Sequence, residues 1–164
     1  MRGMSDVEFE PVVVVMGSAI VALRPKDGTI VWHVPTDQPV VRIYRVHERM
    51  FGVFGTRVIC VELRTGEVIG QIDVGFPPDS GMVCDQNLVL LRGGQRSPSP
   101  EAIVCLTADG RVRWHGTLAI DEGTAKLATF DHHGEARSEV TFAFRDAPSG
   151  IAYRDGVVQP DLNR

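Results

Sequence analysis

Apolar residues in this chain fall in short β-branched runs bounded by Gly, Pro, Asp and Asn, with almost no helical spacing. That pattern predicts strands and tight turns. Val12–Val15, Ile20–Leu23 and Thr29–Val34 form the first group, with Gly17-Ser18 and Asp27-Gly28 as the turns between them. Glycine at such a turn accepts the positive φ that short hairpins need. A second hairpin runs from Arg57–Val61 through Thr65-Gly66 into Glu67–Ile69, and a third from Ala102–Leu106 through Asp109-Gly110 into Arg111–Trp114. A degenerate fourth copy is Ile151–Val158, turning at Asp155-Gly156.

These hairpins are self-similar. Each has a small residue, an apolar residue, a polar stretch and a Gly, with an aromatic four positions later. Ala22, Gly28 and Trp32 carry the first copy; Cys60 and Gly66 the second, with Gly70 at the aromatic position; Cys105, Gly110 and Trp114 the third. The turn glycines 28, 66, 110 and 156 stand 38, 44 and 46 apart. Two further strand-like runs precede each later hairpin: Val40–Tyr44 with Met50–Phe54, Gly81–Cys84 with Leu88–Leu91, and Ala125–Phe130 with Val140–Phe144. Four short antiparallel strands per repeat of about 40 residues is the signature of propeller blades, which bury their faces by stacking. The expected fold is all-β: one propeller domain over residues 1–164, of about four four-stranded blades at roughly 5–36, 40–75, 81–119 and 124–160.

The stretch from Ile20 to Val34 resembles the quinoprotein-type (PQQ-like) propeller repeat, small-Leu-Asp-x-x-Thr-Gly-x-x-x-Trp. The second copy is similar through Thr65 and Gly66, and the third through Gly110 and Trp114. In that family the Trp packs between neighbouring blades. The resemblance therefore implies a structural docking role for Trp32, Trp114, Gly28, Gly66 and Gly110. The family's enzymes bind pyrroloquinoline quinone and Ca²⁺ on the axis of a longer chain. Their adjacent-cysteine pair is missing here, as is a convincing Glu, Asn and Asp set. Neither cofactor nor metal is expected. Non-enzymatic relatives include assembly scaffolds of the bacterial outer membrane, so the resemblance implies a short, bacterial, non-enzymatic member. Its enzymes and scaffolds usually have seven or eight blades. About four blades leaves two arrangements open, a closed four-bladed ring or a half-propeller completed by homodimerisation, with the dimer favoured because an open half exposes blade faces.

The 164 residues are long enough for one real core, and a net charge of −4 argues against a nucleic-acid surface. Three cysteines without CxxC spacing argue against a disulfide framework, and Cys60 and Cys105 occupy the same small repeat position as Ala22, which reads as core. Residues 1–8 lack the apolar core of a signal peptide, and Pro11–Leu23 is too short to span a bilayer, so the chain reads as soluble, cytoplasmic and free of membrane contact.

Function is less legible. Asp131-His132-His133 with Glu135 is the one grouping of metal-ligand residue types, but neighbours in a strand point to opposite sides, and a solvated loop is the simpler reading. Gly93-Gly94-Gln95-Arg96-Ser97 lacks the spacing of a phosphate loop. No nucleophile–base set can be nominated. Short hairpin turns lie on one face of a propeller and the Pro-rich links, here residues 35–39, 76–80, 92–101 and 145–149, on the other. The leading expectation is a non-catalytic protein-interaction or scaffold module working through that Pro-rich face, with self-association and an unidentified protein partner. Its contact candidates are Asp37, Asp79, Arg92, Gln95, Arg96 and Ser97. The alternative is a small-ligand-binding or enzymatic propeller with an axial site, for which the innermost strands offer Arg42, Tyr44, Lys126 and Thr129.

Overall fold

The structure, a computed structural model, describes residues 9–92, 101–121, 123–143, 152–154 and 157–159. Every regular element among them is a β-strand, and every strand pairing is antiparallel. Strands β1 (Val12–Val15), β2 (Ala19–Leu23) and β3 (Ile30–Pro35) form a three-stranded sheet. Strands β4 (Arg42–Val46), β5 (Arg49–Phe54), β6 (Arg57–Glu62) and β7 (Val68–Asp73) form a four-stranded meander. Strands β8 (Ser80–Cys84), β9 (Asn87–Arg92), β10 (Glu101–Thr107), β11 (Val112–Asp121), β12 (Thr124–Asp131) and β13 (Ala136–Ala143) follow one another across a six-stranded sheet. Strands β14 (Ala152–Arg154) and β15 (Val157–Gln159) pair as a short ribbon.

The chain divides into two compact units. The first runs to Pro77 and takes in the Ala108–Arg111 turn; the second comprises the remainder from Pro78. In the first unit, Ile20, Ala22, Trp32, Val34, Val40, Met50, Phe54, Ile59, Val61 and Leu63 form one apolar core. Its central strands are covered on both sides: Met50–Phe54 and Val58–Val61 are buried without alternation. Strand β3 alternates instead, with Trp32 and Val34 inward and His33 and Pro35 outward. Continuous burial marks a strand packed on both faces, and alternation marks one with a solvated face. In the second unit, Leu88, Leu90, Val104, Cys105, Leu106, Leu118 and Ala125 are buried.

The repeat is visible in the hydrogen-bond register. In all three hairpins the small residue pairs with the aromatic position: Ala22 with Trp32, Cys60 with Gly70, Cys105 with Trp114. Immediately after that pair the register shifts by a bulge, at Ala22/Leu23, Cys60/Val61 and Cys105/Leu106. The turn glycines Gly28, Gly66 and Gly110 have φ of 73°, 75° and 77°.

Two features depart from the expected blade layout. The first sheet has three strands among the described residues, matching its three apolar runs but one short of the four-stranded blade expected for the repeat. More consequentially, the expected break between 119 and 124 is not a break in pairing. Strand β11 continues to Asp121, reverses around Gly123 (φ 70°), and pairs with β12 from Trp114↔Asp131 to Asp121↔Thr124. Glycine at positive φ closes this hairpin, so the third and fourth expected groups share one sheet.

Candidate functional site

Trp32, expected as a docking residue, is tightly held in the first unit. It is 8% exposed, and its indole N–H donates to the Leu63 carbonyl at 2.8 Å. The turn that supplies this carbonyl closes on itself: Gly66 N–H donates to Glu62 O at 2.9 Å, and Glu62 N–H to Glu67 O at 2.8 Å. Gly66 lies flat on the indole; a Cβ there would stand 2.6–2.8 Å from Trp32 Cγ, Cδ2 and Cβ. The same turn is held from the other side by Leu63 N–H to Glu48 O at 2.9 Å and by Arg64 Nε to Glu48 Oε2 at 3.0 Å.

The second repeat builds a related joint without an indole. Gly70 leaves open space, and the next turn comes against Cys60 instead. A Cβ on Gly110 would lie 3.1 Å from Cys60 Cβ, and the Cys60 thiol donates to Ala108 O at 3.7 Å. Burial pushes the Cys60 thiol up to about 11, so it stays protonated at neutral pH. Cys105 is also buried and its thiol is raised by the same desolvation, whereas Cys84 is exposed.

The third repeat differs. Trp114 is half-buried and borders a cleft of about 370 Å³, whose other lining residues are Arg113, Thr129, Asp131, His132 and Arg137. Asp131 forms the floor. Its Oδ1 accepts the backbone N–H of Glu135 and of His133, each at 2.9 Å, and Arg137 approaches Oδ2 at 3.4 Å. The Glu135 and His133 amides, with Arg137 beside them, hold this carboxyl below its ordinary value. Arg113 Nη1 donates to Asn87 Oδ1 at 3.1 Å. Asp131 thus caps its own turn, while His132 and His133 are exposed with their rings 3.8 Å apart. Among the described residues no three His, Cys, Asp or Glu side chains are grouped as metal ligands.

The candidates on the Pro-rich links are spread out. Asp37 is exposed and pairs with Arg57 at 3.2 Å. Asp79 is exposed, and its N–H donates to Leu91 O at 2.9 Å. Arg92 was expected in the link, but ends β9 opposite Ala102 and is half-buried; the ladder simply continues one residue past the apolar run. Gln95, Arg96, Ser97 and Gly156 lie outside the described residues. Of the axial candidates, Thr129 lines the cleft, and Lys126 pairs with Glu139 at 3.3 Å. Sequence reasoning missed Arg113 and Arg137. The glycine at 123 between alternating runs was the available signal, since the chain reverses there and β12 pairs back along β11 as far as Trp114.

Compared with solved structures, the chain is similar to BamB from Moraxella catarrhalis, with a TM-score of 0.51 and 11% identity over 82% of this chain and 50% of that one. It is also similar to KlHsv2, the Kluyveromyces lactis protein, in a form with loop 6CD replaced by a Gly-Ser linker: TM-score 0.50, 10% identity, 84% of this chain and 51% of that one. The fold is a β-propeller. A likeness to the WD40 domain of Neurospora crassa Pan2 is at TM-score 0.49 and 9% identity, over 77% of this chain and 47% of that one. The chain spans about half the length of these structures. No protein-family model and no curated protein matches its sequence. Among the described residues no helix is long and apolar enough to cross a membrane.

Proposed function

We propose that this chain is a non-catalytic protein-interaction module on a quinoprotein-type propeller repeat, and that two copies complete one propeller. The observation that carries the reading is span. The chain matches 50% of the BamB chain while 82% of its own length is used. Blades bury their faces against other blades, and on this reading a second copy supplies the blades that one copy does not. The shared small-residue and aromatic pairing at Ala22–Trp32 and Cys105–Trp114 supports the quinoprotein-type assignment. The Pro-rich links, with Asp37, Asp79, Arg92, Gln95, Arg96 and Ser97, are the proposed partner face.

Light scattering after size exclusion tests the assembly. A mass near twice 18.0 kDa, stable on dilution, is expected. A strict monomer at all concentrations overturns the two-copy reading. Deleting residues 93–100 is expected to abolish partner capture in pull-downs without changing that mass; retained capture overturns the Pro-rich face.

A further inference from the structure

The segment leading into β1 is tied to two turns of the second sheet by a ring of charged side chains. Phe9 is half-buried, Glu10 is exposed and Pro11 is buried. Arg64 Nη1 donates to Phe9 O at 2.9 Å, and Arg64 Nε donates to Glu48 Oε2 at 3.0 Å. Glu48 Oε1 stands 3.9 Å from Arg45 Nη2, which also reaches Glu10 Oε1 at 2.6 Å. The ring begins on Phe9 and ends on its neighbour Glu10, with charges alternating from Arg64 through Glu48 and Arg45 to Glu10. The Arg24 guanidinium stands 5.0 Å from the centroid of the Phe9 ring, a cation–π contact.

Both turns are themselves fixed. Arg45 Nε donates to His47 O at 2.8 Å, and Leu63 N–H donates to Glu48 O at 2.9 Å, which joins the β4–β5 turn to the β6–β7 turn. The β6–β7 turn also carries Leu63 O, the acceptor of the Trp32 indole. In the sheet ordered β1-β2-β3, Trp32 lies on β3, whereas Phe9 and Glu10 lead into β1. One turn therefore receives both sides of the first sheet, the β3 side through the indole and the β1 side through Arg64 on Phe9.

The two attachments differ in kind. The indole is 8% exposed. The side chains of Glu10, Arg45, Glu48 and Arg64 are 40–54% exposed, so water and salt compete for each of them. Isolated pairs of that exposure contribute little, but these share partners in a network that closes on one segment. The fixed φ of Pro11 limits the freedom the segment loses on closing.

We propose that Phe9–Glu10 is a salt-sensitive latch that holds the β1 side of the first sheet on the second, and that its release lets β1 open while the Trp32 joint stays shut. The opening is local, with the Trp32 joint as the pivot and β1 as the moving side. The latch is made of contacts within one chain and does not depend on the two-copy reading.

Amide hydrogen exchange of the full chain, followed by NMR, tests it by comparing β1 with β5 and β6 at low salt and at about 0.5 M salt. Salt is expected to speed β1 exchange about fivefold and to leave β5 and β6 within about twofold. Glu10→Gln removes one exposed charge and is expected to produce that acceleration at low salt and to lose most of the salt response. Arg45→Gln is expected to add less in the Glu10→Gln background than it does alone, as members of one network do. Trp32 emission, in a Trp114→Phe background, is expected to stay unchanged throughout. Exchange of β1 that ignores Glu10→Gln, or that keeps its full salt response in that variant, overturns the latch. An emission shift that tracks the β1 acceleration also overturns it, because the sheet then leaves as one piece with its indole.

Discussion

Gly66→Ala isolates the energetics of the Trp32 joint. Two costs act together. At φ of 75° a side chain pays the left-handed penalty, about 1–2 kcal/mol. The new methyl also lands 2.6–2.8 Å from three Trp32 atoms, and overpacking of this kind costs about 1–3 kcal/mol. The indole cannot slide aside cheaply, because it is 8% exposed and its N–H is fixed to Leu63 O at 2.8 Å. The summed loss is about 2–5 kcal/mol. Gly17→Ala is the control: φ is 62°, with nothing within 4 Å, so only the backbone penalty of about 1–2 kcal/mol applies. Gly110→Ala falls between them, since its methyl would meet Cys60 Cβ at 3.1 Å. Urea unfolding followed by far-ultraviolet circular dichroism and by Trp32 emission, in a Trp114→Phe background, measures the series by linear extrapolation. The expected midpoints descend from Gly17→Ala through Gly110→Ala to Gly66→Ala. If Gly66→Ala costs no more than Gly17→Ala, the turn does not rest on the indole and the joint is misread.

Trp32→Phe leaves the buried Leu63 carbonyl without its donor and is expected to cost about 1–3 kcal/mol, read from the shift in urea midpoint; an unchanged midpoint would refute the hydrogen bond's role. In the native protein a thiol reagent is expected to modify Cys84 quickly, and Cys60 and Cys105 only after denaturant, because the thiolate is the reactive form and both buried thiols are raised. Equal native rates at all three would contradict that burial. Asp131 is held below its ordinary 3.8, so its stabilising effect is present above 3.8 and disappears as pH falls through the lowered folded value. Carboxyl titration by NMR is expected to show a midpoint below 3.8, with Asp131→Asn less stable than the native chain at neutral pH and equal to it in acid; a midpoint at or above 3.8 would remove the basis for the cap.

The hairpins were legible because their determinants are local. A Gly that must adopt positive φ, as at 28, 66 and 110, can be read from its neighbours, and the strand runs beside it need only β-branched residues. The small residue and the aromatic were legible as a repeat because their spacing places them opposite each other across the turn, as Ala22 and Trp32 are. The cleft was not legible. Arg113 and Arg137 lie on different strands and share a site only because β12 and β13 fold back beside β11.

The sequence by itself determined the strands, their turns and the all-β repeat, since backbone conformation and side-chain alternation act over a few residues. Tertiary structure alone decided whether a strand continues a sheet or begins another. An apolar strand such as β12 satisfies its hydrogen bonds equally well against β11 or in a new blade, and nothing in its own residues distinguishes the two. The same holds for the two tryptophans. Their local sequences match, yet among the described residues Trp32 is covered by a following turn while Trp114 borders a cleft, because coverage is a property of what the rest of the chain brings against each indole.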